Sequence, residues 1–185
     1  MRQSFGLSIV ENREVYMKVK MIMIFIMMVM VVAVAPLSSQ ASGSSVGLGI
    51  SAGVTLPRGS TAEIQSTDWK MALNWGFYVN IPLIYTFHLT PSSELYKFED
   101  QNATDMSIAF KFIVPLPRFD LYAGFVPGLT AVGDVTAFHV GLLVGGNFPL
   151  ISNLDFFIQG KYKWLFEGGE NLRVLHANVG VLFNL

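Results

Sequence analysis

The sequence predicts an all-β fold, an antiparallel up-and-down barrel of eight strands, and three observations predict it. Downstream of residue 41, apolar and small or polar residues alternate with a period of two, the mark of strands with two unlike faces. The alternating segments number eight, and even counts suit a closed up-and-down barrel. The connections also alternate, between tight proline-bearing turns and more polar links.

The first strand sets Val46, Leu48, Ile50, Ala52, Val54 and Leu56 against Ser45, Gly47, Gly49, Ser51, Gly53 and Thr55. The second runs from Trp69 to Ile81 on its apolar face, with Lys70, Asn74, Tyr78 and Asn80 on the other. A third sets Leu83, Tyr85, Phe87 and Leu89 against Thr86, His88 and Thr90. Pro91-Ser92-Ser93 is expected to interrupt its phase, leaving 95–99 as an extension. The fourth strand has Met106, Ile108, Phe110, Phe112 and Val114 outward, and the fifth Phe119, Leu121, Ala123 and Phe125. The sixth carries Phe138, Val140, Leu142, Val144 and Phe148, and the seventh Phe156, Ile158, Tyr162 and Trp164. The eighth carries Ala177, Val179, Val181, Phe183 and Leu185. Turns are predicted at Asn80-Ile81-Pro82, Pro115–Arg118 and Pro149–Asn153, and opposite links at about 57–68, 91–104, 128–134 and 167–172.

Composition then sets the solvent. Charged residues make up 14% of the 185, well below the roughly 25% of an average soluble domain, and apolar ones reach 52%. With 12 Lys and Arg against 13 Asp and Glu, no basic face points to nucleic acid. The absence of cysteine excludes a lipid-modified N-terminal Cys, disulfides and thiolate metal sites. A soluble lipocalin-like carrier would point its apolar face inward and carry Lys and Glu outside. Here the polar face is Gly, Ser, Thr, Ala and Asn with scattered charges, which suits a narrow filled interior, and the apolar face is bulky. Aromatics gather at strand ends, with Trp69, Trp164 and Phe166 toward one and Tyr85, Phe119, Phe148 and Phe183 toward the other. Such girdles fit two membrane interfaces, so the barrel is expected to be transmembrane.

Residues 1–41 are expected to be a cleavable signal peptide region, leaving 42–185 as the barrel. Lys18 and Lys20 precede an apolar run over 21–35, and Ser39-Gln40-Ala41 supplies small residues for cleavage after Ala41. A run of about 15 residues is short for a membrane helix, which needs about 20. Residues 1–16 have no evident role and read as an over-extended start.

The last eight residues, Asn178-Val179-Gly180-Val181-Leu182-Phe183-Asn184-Leu185, read polar-x-Gly-x-x-apolar-x-apolar. This resembles the C-terminal signal of bacterial outer-membrane barrels, with Asn178, Gly180, Phe183 and Leu185 on its constrained positions. The chain ends in Leu where many such proteins end in Phe or Trp. Over residues 44–185 the chain is similar in pattern to the small eight-stranded outer-membrane proteins of the OmpA/OmpX/OmpW type. The resemblance implies a Gram-negative outer-membrane location and contact with outer-membrane lipid. It also implies insertion by the barrel-assembly machinery, a monomeric state and a structural or envelope role, with binding or passage of small hydrophobic molecules.

Candidate chemistry is confined to the inward face. Lys70, His88, Lys111, Asp120, His139, Asp155, Lys161 and Lys163 are its candidate lumen residues, joined by His176. The lysines could form an anion path or be neutralised by Asp120 and Asp155, and the second fits the small bore of eight strands. The histidines could be a metal site, a catalytic dyad or hydrogen-bonded lumen residues. Outer-membrane lipid A deacylases resemble this size and fold and use a His-x-Ser pair. His88-Leu89-Thr90, His139-Val140-Gly141 and His176-Ala177-Asn178 all lack it. No nucleophile–base pair stands out, so the expectation is a non-enzymatic protein without cofactor or metal, a lipid-modifying enzyme being the alternative.

Overall fold

The computed structural model describes residues 45–60, 65–66, 71–98, 101–133, 135–167 and 170–185. The signal region, Lys70 and Trp69 lie outside the described residues. The long strands are β1 (Gly47–Ser60), β3 (Ala72–Ile84), β4 (Phe87–Phe98), β5 (Gln101–Pro115), β6 (Asp120–Val132), β7 (Val135–Ile151), β8 (Leu154–Glu167) and β9 (Glu170–Asn184). A two-residue strand, β2 (Gln65–Ser66), pairs with the end of β1. Each long strand is antiparallel to the next, and β9 pairs back onto β1 from Gly47↔Asn184 to Arg58↔Arg173, so the eight long strands close into a barrel. Closure gives every long strand a paired neighbour on both sides.

The stagger of the closure follows from the register. From His88 the pairing row passes through Lys111, Gly124, Leu143, Lys161, His176 and Thr55 to Ala72. Since Asn74 faces Tyr96, position 72 stands opposite 98, and 98 − 88 gives a shift of ten residues per circuit. That shift tilts the strands, as closing a sheet requires.

Side chains sort by parity as the sequence predicts. Leu48, Ile50, Leu73, Trp75, Phe77, Phe112, Leu121, Phe125, Phe138, Val144, Ile158, Val179 and Phe183 are exposed on the outside. Their inward neighbours are buried, as at the successive residues Leu142 and Leu143, 56% and 1% exposed. An apolar exterior around a charged interior is the polarity of a barrel surrounded by lipid.

The connections differ from the sequence expectation in five places. Asn80-Ile81-Pro82 is not the first turn. β3 continues to Ile84, the chain reverses at Tyr85-Thr86, and a register irregularity between Pro82 and Ile84 absorbs the proline. Ile81, expected outside, is buried. The link expected at 91–104 is mostly strand, because β4 passes through Pro91 with its parity intact and only positions 99–100 separate it from β5. The links at 128–134 and 167–172 likewise shrink to residues 133–134 and 168–169, and β1 runs on to Ser60. Gly133, with φ of 57°, supplies the left-handed residue that a two-residue hairpin requires. The turns at 116–119 and 152–153 fall where predicted, and Leu116 donates its backbone N–H to the Phe119 carbonyl at 3.0 Å.

Two prolines stand mid-strand. The β3–β4 ladder lapses opposite Pro91, at Val79 and Asn80, while the β4–β5 ladder runs unbroken from Phe87↔Phe112 to Phe98↔Gln101. The β5–β6 ladder lapses opposite Pro127, between Ser107↔Gly128 and Phe110↔Phe125, while β6–β7 is continuous. A proline lacks the N–H for one of its two ladders, and each strand is held by the other.

Candidate functional site

The lumen contains five buried residues with ionisable side chains, Glu94, Asp105, Lys111, Lys161 and Lys163. A buried charge is tolerated only when it is paired and hydrogen-bonded. Parity brings the groups together: Glu94 on β4 and Asp105 on β5 are directly opposite each other in the ladder, and Lys161 and Lys163 are successive inward positions of β8. Lys161 Nζ donates to Glu94 Oε1 at 3.0 Å and Lys163 Nζ to Glu94 Oε2 at 3.0 Å. Lys163 Nζ also lies 2.9 Å from Asp105 Oδ1. Glu94 is the hub. Asn178 Nδ2 donates to its Oε1 at 2.7 Å, and the Tyr78 hydroxyl donates to the same oxygen.

Polar groups extend the network toward the hairpin end opposite the termini. Thr130 Oγ1 donates to Asp105 Oδ2 at 2.7 Å and lies 3.1 Å from His139 Nδ1, which is itself 3.5 Å from Asp105 Oδ2. His176 Nδ1 lies 2.9 Å from Thr55 Oγ1, which accepts from Asn74 Nδ2 at 2.8 Å. The Tyr96 ring packs edge-on against His176, with centroids 5.2 Å apart. Nearer the termini the interior carries apolar packing: Ala109, Ile113, Tyr122, Val126 and Leu143 form one cluster and Tyr78, Phe157 and Leu182 another.

The predicted lumen residues thus fall into three groups. Lys161, Lys163 and His139 join the central network. His88 is buried beside Asn80, with its Nδ1 3.0 Å from Asn80 Nδ2 and 3.3 Å from Asn80 Oδ1, and Lys111 lies across the ladder from it. Asp120 and Asp155 sit half-buried at the ends of their strands, where Asp155 Oδ2 accepts from Asn184 Nδ2 at 3.0 Å. They are therefore not the counter-ions of the lysines. For Lys161 and Lys163 that role belongs to Glu94, which the sequence expectation places in the 91–104 link, and to Asp105, which falls just before the expected start of the fourth strand at Met106. Continuing the parity of His88 and Thr90 by four residues, and that of Ser107 back by two, reaches both carboxylates.

The residues of the C-terminal octet divide by face. Asn178 is in the network, Gly180 lies beneath the Phe157 ring, and Phe183 and Leu185 are exposed outside. The three histidines do not converge on a metal: among the described residues no group of three or more His, Cys, Asp or Glu could hold one.

A closed eight-stranded wall, greasy outside and ionic inside, defines a class, the small outer-membrane β-barrel fold. The chain is similar in structure to Neisserial surface protein A, with a TM-score of 0.64 at 14% identity, covering 77% of this chain and 98% of that one. It is also similar to the outer-membrane protein OprG of Pseudomonas aeruginosa, with a TM-score of 0.53 at 8% identity, covering 79% and 98%. No protein-family model matches the chain, and no curated protein sequence matches it.

Proposed function

We propose that this chain is a monomeric bacterial outer-membrane barrel with a structural role in the envelope and a lumen closed to solutes. The observation that carries the reading is the ion network of Glu94, Asp105, Lys161 and Lys163, which ties β4 and β5 to β8 across the bore. Two apolar clusters pack beside His88, Asn80 and Lys111 nearer the termini. A wall without a free edge needs no second copy to satisfy its backbone, which supports the monomer. The exposed apolar face supports the location in lipid, and the C-terminal octet supports delivery by the barrel-assembly machinery.

Catalysis has less support. Asp105, His139 and Thr130 place a carboxylate, an imidazole and a hydroxyl together, but all three are sealed inside the wall, where no substrate reaches them. If small hydrophobic molecules engage the protein, the outer aromatic surface suits them better than the bore. There the Phe110 and Phe125 rings stack at 4.6 Å and 8°, beside Phe87 and Phe112.

The test is single-channel recording in planar bilayers on the refolded chain, with heat-dependent gel mobility to verify folding. The proposal expects no current above background from protein that shows the mobility shift of a folded barrel. Discrete conductance steps from such protein would overturn it. Lipid A mass spectrometry after overexpression addresses the enzyme alternative, and an altered acyl pattern would favour it.

A further inference from the structure

We infer that the outer face of the barrel, at the end opposite the termini, carries a binding site for the phosphate of a lipid headgroup, set on Arg173 and its ladder partner Arg58. Among the described outward side chains of the strands, Lys97 and Arg173 alone are charged, and both are exposed cations. Neither has an ion pair or hydrogen bond among the described residues. The carboxylates Glu94 and Asp105 are buried on the inward face. Arg58 stands directly opposite Arg173 in the β1–β9 ladder, at the same parity as Leu48 and Ile50. Like charges directly opposite in an antiparallel pair repel, and residues so placed have Cβ atoms about 5 Å apart. A phosphate shared by two guanidinium groups replaces that repulsion with charge-assisted hydrogen bonds, and the planar fork of Arg matches the phosphate oxygens.

The surroundings of the pair favour a lipid over a free anion. Trp164 is the next residue along the same row, opposite Arg173 on β8, and its ring packs edge-on against Tyr162 with centroids 4.7 Å apart. Trp and Tyr gather where acyl chains meet headgroups, and an outward Arg is costly at the bilayer midplane but nearly neutral at that interface. Phe138 and Phe166 stack on the neighbouring strands with centroids 6.4 Å apart, and β7 continues toward the termini with Leu142 and Val144 exposed. A phosphate held at the arginines therefore leaves its acyl chains against an apolar strip of wall. A phosphomonoester, with a charge of about −1.5 to −2 at neutral pH, matches two guanidinium groups better than a singly charged phosphodiester does. The inference rests on an exterior that meets lipid and not on a closed bore, so discrete conductance steps would leave it intact. Protein that stays folded in water without detergent would instead refute the exterior on which it rests.

The experiment is native mass spectrometry of the chain folded in detergent, verified by its heat-dependent gel mobility and titrated with phosphatidic acid or phosphatidylcholine. Phosphatidic acid, the phosphomonoester probe, is expected to bind about thirtyfold tighter, at roughly fivefold per arginine. Arg58→Gln and Arg173→Gln should each lose about fivefold of that preference, and the double variant all of it. Lys97→Gln, which removes the same charge away from the row, should keep the preference. Equal affinity for the two lipids, or a loss in Lys97→Gln as large as that in Arg173→Gln, would overturn the site. Complete displacement of phosphatidic acid by millimolar inorganic phosphate would also overturn it, by assigning the pair to a free anion. Should the double variant fail to fold, the two single variants decide.

Discussion

Removing the negative charge of Glu94 while keeping its shape is the most direct test of what holds the interior together. In Glu94→Gln, Lys161 loses its carboxylate, and Lys163 keeps only Asp105, 2.9 Å away. The new amide would direct N–H groups at an ammonium, and it can serve Asn178 and the Tyr78 hydroxyl with a single oxygen. Lys161 then retains only the face of the Tyr78 ring, 4.8 Å from its Nζ. Breaking a buried pair from one side costs about 3–5 kcal/mol, roughly two to four orders of magnitude in the folded-to-unfolded ratio. Tryptophan fluorescence during urea unfolding in lipid vesicles reads this directly, since Trp75 and Trp164 lie in the wall. Adding Lys161→Met to Glu94→Gln removes the stranded cation and should recover more than half of the loss. The refuting result is a Glu94→Gln barrel within about 1 kcal/mol of the parent, the range of a solvated surface pair.

Other expectations follow from the geometry of the wall. A methyl group on Gly145 would sit 2.5 Å from the Tyr122 hydroxyl and from the Ile158 carbonyl, and one on Gly180 would sit 2.3 Å from the Ile50 carbonyl. Gly145→Ala and Gly180→Ala should each cost about 1–3 kcal/mol in urea unfolding. At Gly160 the nearest atom would be 3.9 Å away, and Gly160→Ala should be nearly neutral. Spin labels at Leu142 and Leu143 should report contact with lipid-dissolved oxygen at the first and not the second. In the same assay as above, Leu142→Arg should lose about 2–4 kcal/mol if that position lies near the middle of the bilayer.

Most of the wall was legible because alternation in a barrel has one meaning at every step, and Leu48, Phe77, Phe125 and Val179 each declare their face by parity. Prolines misled the reading, and for a physical reason. Pro91 looks like a strand breaker, yet a barrel strand has two neighbours, and the intact ladder to β5 carries it past the residue that the β3 ladder cannot pair. Ending β4 at Pro91 puts Glu94 in a link and leaves Asp120 and Asp155, at the rim, as the apparent partners of the inward lysines. Pro82 misled in the opposite direction, marking a turn where the chain only shifts register before reversing at Tyr85-Thr86. Side-chain identity across the bore is the remaining gap: partners there come from strands that no local pattern connects.

That separation has a consequence for how the molecule is made. Glu94 stands 67 residues before Lys161, 69 before Lys163 and 84 before Asn178, and its partners arrive on the last two strands. A half-inserted wall of β1 to β6 therefore carries two carboxylates that keep the hydroxyls of Tyr78 and Thr130 but whose counter-charges have not yet entered the sheet. The counter-charges enter with β8, one strand before β9 closes the wall against β1.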